Sequence, residues 1–472
     1  MKRIFFLLAM AGMAEGSFIA PFGLNLSQAG GPSALAGETF ISGLDFPYEL
    51  AVGTDGSLLF GQTESVAASG LTYGWGLYAV GSAWKLPNLG NGSFGSPETV
   101  SGDFSGIAVS VKPLSSGVLV VDSGAAGGGN PGGTGDRTMN FVSTTGQTIG
   151  TLSFAYPSTC AYECWEHGNG MSLVVPGSNG SNTVYFIVGS QADDTKTTAT
   201  VSISGMGLNN VSLNADSVYT MTVQSTSGNS VQITSAPQQV ATGLRNPFSL
   251  TVDAAGDLLI FDNGIDSAHN PNELSADTLD MIPRGMIGSM VYDFGFPDSY
   301  TDFDTGQRVN GDPNATPPLV ALAPVADSSG TLQYCEGASA MVYLPAGSAS
   351  FVGSQGGLIL SCNGMQDTSG ASNTDDAVML YDIASGLLVP ILDGGNPGFG
   401  HIDGLALIGG ELFVEDMAAS GSQDSQSGAD TGAIYEFDLP QDSPEPGTLV
   451  FMAGGFSLLL LCKKNKYRSE KR

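Results

Sequence analysis

Basic residues are scarce in this sequence. Of 472 residues, 15 are Lys or Arg against 45 Asp or Glu, and eight of the 15 lie at the two ends. The body keeps seven, too few to track a phosphate backbone, so nucleic acid is excluded as a partner and an anionic lipid surface repels it. Charged residues of all kinds make up only 13%, and no long stretch carries a capped 3.6-residue period, which excludes an architecture of solvent-exposed helices. There is no glycine-rich phosphate loop, no nucleophile-elbow serine and no zinc-ligand spacing, so nucleotide, serine-hydrolase and zinc chemistry have no footing here. The formal net charge of −30 favours cations, Ca2+ above all outside the cytoplasm, and it equally serves to keep an exported protein soluble.

Glycine, by contrast, is abundant at 67 residues, and it punctuates short apolar runs. Residues 243–264, GLRNPFSLTVDAAGDLLIFDNG, hold an apolar run, an Asp/Gly turn and a second apolar run, the pattern of a β-hairpin. The plan recurs in 38–62, 104–123, 168–191, 337–364 and 401–416, the last closed by 432–437. Spacings of several tens of residues leave room for two outer strands per unit, for which 198–203, 217–224, 231–234 and 378–383 alternate suitably. Six hairpin units of four strands each predict an all-β, six-bladed β-propeller over residues 37–440. Two stacked β-sandwich domains are the competing architecture, and the recurrence of one pattern speaks against them.

Both ends read as addresses. Lys2 and Arg3 ahead of the apolar stretch 4–14 predict a signal peptide within 1–36, cut after Ala14 or at the triplet 34–36. At the other end, within 441–472, Pro444, Glu445 and Pro446 precede the apolar run 447–462 and a basic cluster. These three parts in order resemble the PEP-CTERM sorting signal of Gram-negative bacteria. The resemblance implies signal peptidase and exosortase as partners and transient membrane insertion through a C-terminal hydrophobic helix. It also implies a final place in the cell envelope, on the outer surface or in the extracellular matrix. The apolar run is a little short of the ~20 residues that span a bilayer, and its basic flank stays cytoplasmic; a permanent tail anchor is the other reading.

Of five cysteines one, Cys462, belongs to the tail. The even remainder in an exported body predicts disulfides, and nearness alone pairs Cys160 with Cys164 and Cys335 with Cys362. A metal half-site at Cys160 and Cys164 lacks a second pair of matching spacing.

Three stretches, GLRNPFSLTVDAAGDLLIFDNGID, EHGNGMSLVV with VYFIVGSQADD, and GHIDGLALIGGELFVED with GAIYEFD, resemble the glucose/sorbosone dehydrogenases, soluble quinoprotein propellers. The resemblance implies pyrroloquinoline quinone (PQQ) and Ca2+ as cofactors and a sugar or alcohol as substrate. It places His167 as the catalytic base, a role that suits an imidazole of ordinary pKa ~6.5. Arg245 and Asn246 match the cofactor contacts. Gly264 and Ile265 match the loop whose carbonyls face Ca2+, with Asp262 and Asp266 near enough in sequence to add oxygen ligands. The chain departs from that pattern elsewhere. The lysine of the fifth blade has no counterpart in LILSCNGMQ, and GHID stands where the last blade carries paired arginines. A tricarboxylate needs such cations, so the quinone site reads as degenerate.

Each of these side chains also has a plainer reading. His167 can serve as a loop hydrogen-bonder, Arg245 as a blade-edge partner of a carboxylate, and His401 with Asp403 as a turn pair. Asp193 with Asp194 and Asp375 with Asp376 are readable as solvated pairs, and Trp165 as packing. Two functions stay open: an extracellular propeller that binds glycan or matrix polymer, and a PQQ/Ca2+-dependent sugar or alcohol dehydrogenase.

Overall fold

A computed structural model describes residues 38–439 apart from short stretches, the longest being 66–77, 123–136, 158–166, 266–274, 363–376, 393–401 and 418–431. Six antiparallel sheets surround one axis. The inner strands are Tyr48–Val52, Ala108–Leu114, Leu173–Pro176, Asn246–Val252, Ala338–Leu344 and Ile402–Ile408, and they define blades one to six. The last blade is completed by the first strand: Glu38–Leu44 pairs with Gly432–Asp438, so the two ends of the propeller close the ring with backbone hydrogen bonds. Among the described residues no helix is long and apolar enough to cross a membrane; the leader, the apolar run 447–462 and the sorting triplet lie outside them.

The sequence pattern explains the layering. The second strand of each blade lies in the middle of a sheet covered on both faces, and such strands read as unbroken apolar runs. Leu258–Asn263 and Gly357–Cys362 are buried almost throughout for this reason. In blades one and four an Asp/Gly turn joins the inner to the second strand. Asp253 Oδ1 accepts the amides of Ala255 and Asp257, both at 2.9 Å, while Gly256 takes φ +83°, a region open mainly to glycine.

The apolar core is divided by blade interface. Among the described residues it falls into six clusters, each made mainly where two neighbouring blades meet. No blade therefore buries its own faces, and stability depends on the closed ring. At the closure, Phe40 of the first strand, Phe94 of blade one and Phe413 of blade six meet edge to face, with centroids 5.3–5.6 Å apart. Replacing Phe94 with Leu keeps most of the bulk and removes the edge contacts. A loss of about 1 kcal/mol is expected, read as a lower urea midpoint at unchanged slope.

Two blades depart from the four-stranded expectation. The strand expected at 198–203 as an outer strand of its own unit forms instead a hairpin, Thr200–Gly205 with Leu208–Asn214, inserted between the second and third strands of blade three. It pairs with Thr148–Ala155 and makes blade two six-stranded. The alternation was that of a strand, but the free edge that it found belonged to the preceding blade. In blade three, Ser230–Thr242 gains a short parallel partner, Tyr292–Asp293, from the long connection in blade four. The strand over 378–383 takes its expected place, as Val378–Asp382 in blade five.

Candidate functional site

Inner strands run from one end of the ring to the other, so their starting ends share a face. Arg245 and Asn246 stand at the start of blade four. Asp262, at the far end of the partner strand, accepts the amide of Arg245 at 3.0 Å and that of Asn246 at 2.8 Å. A side chain with two oxygens thereby seals the lead-in that gives the blade its register. The Arg245 guanidinium donates through Nη1 to the carbonyl of Gly264. Only glycine fits there: a Cβ on Gly264 would stand 2.1 Å from the Ser275 carbonyl oxygen. The Gly264 amide in turn donates to Asp277 at 2.7 Å, and the other oxygen of Asp277 accepts the amide of Ala338 in blade five, also at 2.7 Å.

His167 lies at the same end. Its amide donates to the Ser190 carbonyl at 3.1 Å, and the Ser190 amide donates to the Arg245 carbonyl at 2.8 Å. One residue therefore joins the histidine of blade three to the arginine of blade four. A further cation stands beside them that the sequence pattern did not single out. Arg137, buried at the start of the strand Arg137–Ser143, stacks 4.8 Å from the centroid of Tyr156 and lies against Gly168. A Cβ at Gly168 would overlap the guanidinium, so any larger residue after His167 would push Arg137 aside. The one available signal was an arginine in a chain with few.

Further in, inner-strand positions of the six blades supply buried polar side chains: Glu49, Ser110, Ser172, Ser249, Ser339 and Asp403. Ser110 and Ser172 share a hydrogen bond of 2.9 Å, and Ser339 donates to Asp403 at 3.0 Å. Glu49, in the left-handed region at φ +55°, bridges to blade two through the Val111 amide at 2.8 Å and Lys112 Nζ at 2.5 Å. Burial raises the Glu49 carboxyl despite Lys112. Glu415, fully buried over Gly404, is pushed well above the ordinary carboxylate range by burial first and then by Asp403, Asp416 and Glu49. Neither Glu49 nor Glu415 was legible as a site residue: Glu49 sits in an otherwise apolar strand, and Glu415 in one whose other carboxylates, Glu411 and Asp416, do not single it out.

A small cavity of about 40 Å3 adjoins Arg245, with Asp262, Asp280 and Arg308 in its wall. It has room for a few waters, at ~10–15 Å3 each, and is far below the ~300–1,000 Å3 of cofactor clefts. Burial drives the Asp280 carboxyl up to about 7, against the opposing pull of the Thr278 hydroxyl and Arg308. Asp262 is raised well above its ordinary value, by burial and then by Asp280. Asp277 is pushed up to about 6 by burial, held there by the amides that it accepts and by Arg245.

These partners decide how the expected cofactors fit. The carbonyl of Gly264 is taken by Arg245, that of Ile265 accepts the Ser275 amide at 3.2 Å, and the Asp262 carboxylate accepts two amides. The described oxygens expected to face Ca2+ are thus committed to protein donors. Among the described residues no group of three or more His, Cys, Asp or Glu is disposed to hold a metal. Asp266, His401, Trp165, the pairs Asp193 with Asp194 and Asp375 with Asp376, and Cys160, Cys164 and Cys335 lie outside the described residues; Cys362 is fully buried at the end of its strand.

Solved structures similar to this one include sugar dehydrogenases. The likeness is one of fold. An oxidoreductase described as a glucose dehydrogenase, from Thermus thermophilus, matches with TM-score 0.50 and 13% identity over 85% of this chain and 99% of that one. The PQQ-bound aldose sugar dehydrogenase of Streptomyces coelicolor matches with TM-score 0.44 and 13% identity over 85% and 97% of the two chains. The PQQ domain of a pyranose dehydrogenase from Coprinopsis cinerea gives 0.45 and 14% over 84% and 93%. No family model matches the chain, and no curated protein matches it by sequence.

Proposed function

We propose that the protein is an exported six-bladed propeller that binds a glycan or matrix polymer outside the cell, built on the scaffold of quinoprotein sugar dehydrogenases with the cofactor end filled by its own side chains. The observation that carries this reading is the commitment of the Gly264 and Ile265 carbonyls and the Asp262 carboxylate to donors within the chain. A cation there would compete with the Arg245 guanidinium and with the amides already bonded to these oxygens. Support for a carbohydrate ligand comes from the glucose dehydrogenase that shares the fold. Export rests on the Lys-Arg leader and on the Pro444, Glu445, Pro446 tail, with exosortase removing the tail once the body has crossed the membrane. In that oxidising compartment Cys335 pairs with Cys362, and Cys160 with Cys164.

The enzyme reading draws on the meeting of His167, Arg245 and Arg137 at one end of the ring. There His167 would take the proton of a substrate hydroxyl and the two arginines would hold carboxylates of the quinone, which supplies the hydride acceptor when bound. One titration separates the readings. With added PQQ and Ca2+ the expected result is an unmoved melting temperature and no dye reduction by aldoses; a ligand present at about 100 times its Kd would stabilise by ~2.7 kcal/mol. Turnover, lost in His167→Ala, would establish the dehydrogenase instead. A glycan array without hits would count against the binding reading.

A further inference from the structure

The end of the ring opposite His167 and Arg245 carries a cleft of about 450 Å3 between blades one and two. We infer that this cleft is the protein's saccharide-binding groove, taking a short stretch of a neutral glycan. The inference takes its ligand class from the carbohydrate-binding reading and its location from the cleft alone. The volume lies within the ~300–1,000 Å3 typical of small-molecule sites. Three turns form its walls: 53–57 of blade one, and 115–117 and 143–146 of blade two.

Its chemistry is that of hydroxyl recognition. Eight of the 18 lining residues are Ser or Thr and none is aromatic, so the groove offers exchangeable donors and acceptors and no stacking wall for a flat apolar ligand. Several of these groups are fixed in place. Ser57 Oγ and its amide both donate to Asp55 Oδ1, at 2.5 and 3.0 Å, and Ser143 Oγ shares a 3.0 Å hydrogen bond with Thr145. The bonds from Ser57 hold the Asp55 carboxyl below the usual carboxylate range, leaving an ionised acceptor at the cleft wall. Leu59 and Val118, both buried, give the floor an apolar strip for the C–H face of a ring. Lys85 is paired with Glu98 at 3.3 Å, so the groove's charges sum to one negative. An anionic polymer is repelled, and the single remaining carboxylate is too little to hold a divalent cation. A neutral polyol satisfies what remains.

The test uses the mature full-length body, titrated calorimetrically with neutral cello-, xylo- and chito-oligosaccharides. Hydrogen exchange is followed in parallel. Ser116 and Thr144 are exposed at neighbouring turns of blade two; Ser116→Trp and Thr144→Trp fill the groove and should weaken binding roughly tenfold or more. Saturating oligosaccharide should protect turns 53–57, 115–117 and 143–146. Should either tryptophan variant fail to fold, Asp55→Asn keeps the shape, and its loss of affinity together with the exchange pattern decides. Unchanged affinity in the folded variants, or protection at the Arg245 end, overturns the groove and leaves carbohydrate binding standing. No binding of any of these oligosaccharides by the unaltered protein overturns the groove, and a glycan array also without hits overturns the carbohydrate-binding reading with it.

Discussion

Asp277→Ala is expected to cost about 3–5 kcal/mol of stability, the net of two or three orphaned amides at ~1–3 kcal/mol each less the relief of a buried carboxyl. The side chain is 4% exposed and lies just ahead of the third strand of blade four. Its two oxygens accept Gly264 in its own blade and Ala338 in the next, and it also accepts the Gly337 amide. Alanine removes every acceptor at once, in a place where water cannot enter without opening the blade interface. Because the ring is stabilised at its interfaces, the loss should appear as a lower urea midpoint for the whole propeller, not as local fraying. Asp277→Asn retains one acceptor and should fall between. A loss in Asp277→Ala no greater than that of an exposed aspartate replaced in the same way would show that this staple between blades is unimportant.

Stability should also fall as pH rises through the neutral range. In the unfolded chain Asp277 and Asp280 titrate near 3.8; in the folded protein burial raises them to about 6 and about 7. Between those values the folded state holds protons that the unfolded state has released, so raising the pH favours unfolding. Their contribution is complete below 3.8 and is lost as pH climbs past about 6 for Asp277 and about 7 for Asp280. Glu49, Asp262 and Glu415, also raised, act in the same direction. Asp55 and Asp302, whose carboxyls are lowered, act oppositely at the acid end. The urea midpoint should therefore decline from about pH 5 to about pH 8, and Asp280→Asn should flatten the upper part of that decline. An Asp280→Asn profile parallel to the unaltered protein's would refute the assignment.

Much of the propeller could be read from periodicity. Paired apolar runs around glycine-bearing turns located the inner hairpins, because a strand covered on both faces must be apolar throughout and its turn must admit a left-handed residue. The hairpin Thr200–Gly205 with Leu208–Asn214 could not be assigned to its blade, since alternation identifies a strand and leaves open whose edge it joins. Of the candidate site, the proximity of Arg245, Asn246, Asp262 and Gly264 followed from one hairpin. Their company with His167 and Arg137 did not, and neither did the partner of any oxygen.

Composition and repeat alone determined an all-β, acidic chain of six hairpin units. Tertiary structure decided which polar atoms are spent. The donor that occupies the Gly264 carbonyl is 19 residues away, and the amide held by Asp277 in the next blade is 61 away. The first pairing is made inside one blade by a side chain whose rotamer the sequence does not give, and the second is set by how neighbouring blades pack once the ring has closed.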